Sequence, residues 1–368
     1  MLKPIYPVSC SPALAACQRL MQSLVFWLCE PATTALSINQ QNMQPPRFAS
    51  AIEADWLWHF LQRLDAGQPL LTHAQTIAAL PDDRKTVLCV WVHSVSAVEM
   101  QFHPVPPAWP VARPGVGEAV WKAFKILMEA FYEKGLRSGL PYLPDGTPVA
   151  TAGITYKNFV QIFRDAHRLN SDTDAREVCV LCGGPLGQTP EVDHWVAKSA
   201  FPLLSVCADN LLPICGECNS TSNKGEKAVH SNGSFVDWYH PYFRPANGSL
   251  HLEYVLPKLT VKCKSTQPAD QPKVENLNNL LHLADRWTRE FKAEHARHLG
   301  TLRRREQNRI QKSQTRHTQA EIQDYFHQWK NTDLLPSEPH YEVHQLLCDA
   351  MQEQCRLAAW EKELELVL

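Results

Sequence analysis

The sequence predicts an α+β chain that is mainly helical. Three observations carry that expectation. Apolar residues recur at helical spacing, as at Trp121, Phe124, Leu127 and Phe131. Segments that read as strands are short and few. Two Cys-x-x-Cys pairs, Cys179/Cys182 and Cys215/Cys218, frame a central segment with little core of its own.

The 368 residues leave room for two domains, or for one with long appendages. An apolar fraction of 44% is that of an ordinary globular protein. With a formal net charge of −2, no global field draws the chain to nucleic acid or to a membrane, so any basic surface has to be local.

Taken in order, Ser11–Cys29 is expected as an amphipathic helix. Its apolar run, Leu24–Leu28, is too short to span a bilayer. It lacks a small-residue cleavage site behind an unbroken apolar core, so no signal peptide is expected. Residues 32–50, with Gln44-Pro45-Pro46, read as a loop. A helix is expected over Ala51–Leu64, and the β-branched run Lys85–Trp91 is expected as a strand. Five prolines make Pro104–Pro114 irregular. Helices follow at Glu118–Lys134 and Thr155–Leu169. Beyond the cysteine-framed segment and a proline-bearing linker, helices are expected over Lys273–Gln311, Gln319–Trp329 and Tyr341–Leu366. The chain divides on this reading into 1–170, mainly helical and without a catalytic set, a module at 171–245, and a linker with charged helices at 246–368.

Of the twelve cysteines, eight lie outside the two pairs with no common spacing. They read as free thiols of a reducing, cytoplasmic protein rather than a disulfide framework. The four paired cysteines suit a tetrahedral zinc. Four sulfurs leave no open position for water or substrate, so the role of that zinc is structural.

Between the pairs stand Asp193 and His194. Adjacent strand residues point to opposite faces, so Asp193 could ligate a second metal while His194 faces a water. A hard cation at the carboxylate and an imidazole near neutrality are what phosphodiester hydrolysis needs. The plain alternative is an exposed Asp-His pair in a zinc ribbon.

The order Cys179-x-x-Cys182, Asp193-His194, Asn210-Leu211, Cys215-x-x-Cys218-Asn219, Lys224-Gly225 resembles the HNH endonuclease family with its ββα-metal fold and four-cysteine zinc. The match spans about fifty residues. The text Asp-His-Trp-Val-Ala-Lys-Ser is similar to a bacterial subgroup that has Phe and Pro where this chain has Trp195 and Ala197. The resemblance implies His194 as general base, Asp193 as metal ligand and Asn210 as the residue that braces the loop. It also implies a third position, a metal ligand, filled first by Asn219. Asn223 one turn on, His230 and, from the later His-Pro-Tyr-Phe run, His240 stay open for that position. Oxygen donors favour Mg2+ or Mn2+ there. The implied products are a 5′-phosphate and a 3′-hydroxyl, and the implied settings are phage defence, restriction or a mobile element.

DNA is the expected partner, yet Arg176–Lys227 holds four Lys or Arg against six Asp or Glu. Lys198 and Lys224 are candidate phosphate contacts. The richer source is the C-terminal helix with Arg297, Arg303, Arg304, Arg305, Arg309, Lys312 and Arg316, although Glu290, Glu294 and Glu306 are interleaved. The N-terminal domain or the C-terminal helices could instead meet a protein partner. The competing reading is a zinc-ribbon binding module for nucleic acid or protein, without catalysis. A zinc deaminase is set aside: Val196 stands where a Glu is needed, and Ile214 separates Pro213 from Cys215.

Overall fold

The structure, a computed structural model, describes residues 5–151, 153–169, 178–187, 191–255 and 258–366. Among them helices dominate, and strands form three antiparallel two-stranded sheets. The mainly helical α+β expectation holds. The three expected segments map onto two compact units, and residues 190–244 share one of them with the N-terminal region.

That unit, Ile5–Asn170 with Pro190–Arg244, opens with α1 (Ser11–Leu28) and α2 (Ala51–Leu61). A small hairpin, β1 (Leu64–Asp65) and β2 (Gln68–Pro69), leads to α3 (Leu70–Ala78). Next comes α4 (Asp82–Val95), where the sequence had predicted a strand at Lys85–Trp91. The reason for the difference is periodicity. Lys85, Leu88, Val92 and Val95 recur every three or four residues and are buried, while Val87 and Val90 face water. Pro81 precedes the helix, and Asp82 and Asp83 lie in its first turn, where acidic groups suit the helix dipole.

α5 (Glu118–Ala130) continues into a π turn at Phe131–Leu136, and α6 spans Tyr156–Leu169. Trp121, Phe124, Leu127 and Phe131 are buried, as their spacing requires. Phe131 meets Phe60 at 4.4 Å between ring centroids, and Trp91 packs edge-on against Trp121 and Phe124. Removing one such ring, as in Phe124→Ala, costs about 3–5 kcal/mol. The unit closes with β3 (Glu191–His194), β4 (Leu211–Ile214) and the one-turn helix α7 (Gly216–Asn219).

The other unit, which holds Ser171–Thr189 and Pro245–Leu368, pairs β5 (Leu250–Val255) with β6 (Thr260–Ser265). Five helices follow: α8 (Gln271–Leu281), α9 (Leu283–Gln311), α10 (Gln319–Gln328), α11 (Tyr341–Met351) and α12 (Gln354–Glu365). Two expected helices are broken. Lys273–Gln311 turns at His282, whose φ of 51° is left-handed, and Tyr341–Leu366 divides after Met351. α9 buries Trp287, Phe291 and Leu302, and with them the charged residues Arg286, Glu294 and Glu306.

Candidate functional site

β3 and β4 pair antiparallel, with Asp193 opposite Leu212 and His194 opposite Leu211. Pro213, which has no N–H, lies opposite Val192. Val192 has no need of that donor. Its own N–H donates to the Tyr156 hydroxyl at 3.2 Å, and the Tyr132 hydroxyl donates to its carbonyl at 3.2 Å. Pro213 thus sits at a position where the ladder makes no bond, and two tyrosines clamp the free edge of β3.

His194 is buried, with its ring edge-on to Tyr132 at 4.7 Å. Its Nε2 lies 2.8 Å from the Ser205 carbonyl oxygen. A carbonyl only accepts, so Nε2 carries the proton and Nδ1 holds the lone pair. Ser205 is fixed in turn, its hydroxyl donating to the Met128 carbonyl at 2.8 Å. Burial pushes the imidazole down to about 3, so it is neutral at physiological pH.

Asn210 is fully buried and ties the segment after His194 into a closed loop. Its Oδ1 accepts from the Val196 N–H at 2.7 Å. Its Nδ2 donates to the carbonyls of Val196 and Leu204 at 2.9 and 3.2 Å. The same loop carries Ser205, so Asn210 holds the carbonyl that orients His194.

Asp193 points away from His194 and is nearly buried. Its Oδ2 lies 2.8 Å from Lys224 Nζ, a side chain with 0% exposure. Burial pushes the Asp193 carboxyl up, against the pull of the Lys224 ammonium. Glu191 shares the Asp193 face of β3, two residues away. The Asn219 side-chain amide donates to the Glu191 carboxylate. An amide oxygen such as that of Asn219 is the kind of donor that suits a hard divalent cation.

The cysteine pairs are built by backbone turns. Cys179 N–H donates to the Gly184 carbonyl and Gly183 N–H to the Cys179 carbonyl, both at 2.8 Å. The Gly184 N–H points at Cys182 Sγ, 3.3 Å away. Gly183 has φ +70°, which favours glycine, and a Cβ on Gly184 would stand 2.9 Å from the His340 ring, which would have to shift. Cys215 precedes α7, and the Cys218 carbonyl accepts from Lys224 N–H at 3.1 Å. The Sγ atoms of Cys179, Cys182, Cys215 and Cys218 lie within 4.8 Å of one another. Four clustered thiols, three of them buried, suit one structural metal such as zinc. Among the described residues this is the only group of three or more His, Cys, Asp or Glu placed to hold a metal.

No family model, no curated protein and no solved structure matches this chain.

Several candidates lie elsewhere than the sequence suggested. Lys224 is sealed inside against Asp193 and presents no ammonium to a phosphate on the surface. Lys198 pairs with Glu133 and lies over the Tyr132 ring. Asn223 is buried and donates to the Glu217 carbonyl at 2.7 Å, which closes the turn after α7. His230 accepts from the Gly233 N–H and packs between Phe201 and Phe235. His240 is fully buried among Phe102, Trp195, Tyr242 and Phe243, and its Nδ1 accepts from the Tyr242 N–H. Burial pushes this imidazole down to about 3. Its segment seals the strands, with the Tyr242 hydroxyl donating to the Leu211 carbonyl at 3.1 Å.

On α9 most guanidinium groups are engaged. Arg303 meets Glu363 at 2.6 Å, Arg309 meets Glu321 at 2.6 Å, and Arg297 pairs with Glu294. Arg305 lies 4.8 Å over the Tyr325 ring. Among the described residues Arg304 makes only a neutral bond, to Thr301 at 3.2 Å. The sequence left unseen the roles of Glu191, Ser205, Tyr132 and Lys224 as supports for the Asp193-His194 pair. The strand period could have flagged Glu191; nothing local signals the others.

Proposed function

We propose that this chain is a metal-dependent endonuclease of the HNH kind, which hydrolyses DNA phosphodiester bonds with His194 as general base. The single observation that carries the reading is the pinned imidazole: Nε2 is tied to the Ser205 carbonyl, and that carbonyl belongs to a loop closed by Asn210. A neutral ring with Nδ1 as its lone pair is ready to take a proton from water. Its low basicity in the buried ring rises when an anionic phosphate arrives beside it. Asp193 and the Asn219 amide oxygen supply oxygen donors for Mg2+ or Mn2+. Bound there, the cation would neutralise charge on the scissile phosphate and its departing 3′ oxygen. The cysteine cluster supports these strands through a structural zinc and takes no part in the chemistry. Phage defence, restriction or mobile-element movement are settings that suit such an enzyme.

One observation favours a second reading, a zinc-ribbon binding module. Lys224 already satisfies one oxygen of Asp193, as a purely structural ion pair would. Supercoiled plasmid separates the two. The zinc-loaded chain is expected to nick it in Mg2+ or Mn2+, and His194→Ala, with its circular dichroism unchanged, is expected to abolish nicking. No cleavage in Mg2+, Mn2+ or Ni2+ would leave the binding module.

A further inference from the structure

We propose that Cys29 and Cys89 are a redox-active thiol pair, which a low-molecular-weight disulfide closes to an intrachain disulfide that pins α1 to α4; the pair has no part in the nuclease reading above. α1 packs against α4 within one compact unit. Cys29 stands where α1 ends, its N–H donating to the Val25 carbonyl at 3.0 Å. Cys89 lies within α4, and Lys85 stands one turn before it on the same side of that helix. The buried Lys85 ammonium donates to the Glu30 and Thr33 carbonyls at 2.9 and 2.7 Å. This clamp holds the turn after Cys29 against the Lys85–Cys89 side of α4. There the two thiols meet in a hydrogen bond.

The two sulfurs differ in access. Cys29 is buried and Cys89 is half-buried, so a reagent from solvent reaches Cys89 first. Burial pushes both thiols up, and their shared hydrogen bond raises Cys29 further while it lowers Cys89. Cys89 is therefore the thiol that ionises and attacks. Its thiolate displaces one glutathione from glutathione disulfide and leaves a mixed disulfide at Cys89. Cys29 then attacks the Cys89 sulfur, the second glutathione departs, and the Cys29 proton passes to it. The two protein thiols are oxidised, and one glutathione disulfide is reduced to two glutathione thiols. The new bond closes a loop of about sixty residues, a length at which the unfolded chain loses much of its freedom.

The test equilibrates the full, zinc-loaded chain with glutathione and glutathione disulfide at set ratios, quenches it with an alkylating agent and digests it for mass spectrometry. A peptide linked through Cys29 and Cys89 is expected in glutathione disulfide, and excess glutathione should remove it. Both cysteines recovered as alkylated thiols in glutathione disulfide alone overturn the proposal, as does glutathione held at Cys89 with Cys29 still free. The linked chain should melt at least about 5 °C above the reduced one. An equal or lower melting temperature overturns the pinning of α1 to α4. Cys29→Ser, with its circular dichroism unchanged, lacks the second thiol and should retain glutathione at Cys89. The same variant left unmodified overturns Cys89 as the attacking thiol. The measurements on the unaltered chain decide the proposal whether or not this variant folds.

Discussion

Residues 190–244 and helix α9 both carry charged side chains, and they use them in different ways. In 190–244 a single pair matters: Lys224 is fully buried and faces a carboxylate that is 13% exposed. Along α9 the charges are many and mostly matched: Arg303–Glu363 stands about half exposed on both sides, whereas Glu294 and Glu306 are buried, against His298 and His317. A buried pair has lost its water and cannot lose its partner cheaply. A surface pair is screened and contributes little. Counting arginines points to α9, whereas the fully buried lysine lies in 190–244, paired with Asp193 of β3.

The comparison can be broken at four places. The largest expected effect is on cleavage. His194→Ala should slow plasmid nicking by about 10²–10⁴-fold, the range for loss of a general base, measured as initial rates on supercoiled DNA. Next comes stability. Asp193→Ala strands the buried Lys224 ammonium and should cost about 3–5 kcal/mol in denaturant unfolding of the metal-free site. A cost near that of a surface pair would mean that Lys224 finds water.

A smaller effect is expected in acid. Burial raises the Glu294 carboxyl, but hydrogen bonds from His298 and Arg297 outweigh it and hold the group at about 2, below its ordinary 4.5. A lowered folded value stabilises the native state above the unfolded value, and that stability is lost as pH falls. The unit with α9 should therefore lose stability as pH falls from 4.5 toward about 2, and Glu294→Gln should flatten that slope in pH-dependent melting. The smallest effects belong to the surface. Arg303→Ala should change stability by only about 0.2–1 kcal/mol. If α9 meets DNA, Arg304, which makes no ion pair among the described residues, should matter more than Arg303 or Arg305. Reversing its charge should then flatten the salt dependence of binding by about one phosphate contact.

The fold was legible where periodicity is strong. α1, α2, α5 and α6 follow from apolar spacing, and the spacing of Trp121, Phe124, Leu127 and Phe131 identified a buried face. It failed at Lys85–Trp91, because β-branched composition was weighed above the three-to-four residue period that Lys85, Leu88, Val92 and Val95 keep. The left-handed turn at His282 was invisible, since no glycine or proline marks it. In the site, a short strand at Asp193-His194 and the clustered cysteines could be anticipated from spacing. Lys224 could not. A lysine beside a glycine reads as a solvated loop, and only the three-dimensional path from Cys218 to Gly225 shows that it is enclosed.

The most direct measurement sets two isolated changes side by side: Mn2+-dependent nicking of supercoiled plasmid by Asp193→Asn and by Arg303→Ala, each checked for zinc content and folding. The account expects Asp193→Asn to nick at least about a hundredfold more slowly, because an amide loses the charge that draws the metal, while Arg303→Ala keeps the rate of the unaltered protein. Equal rates for the two variants would contradict it.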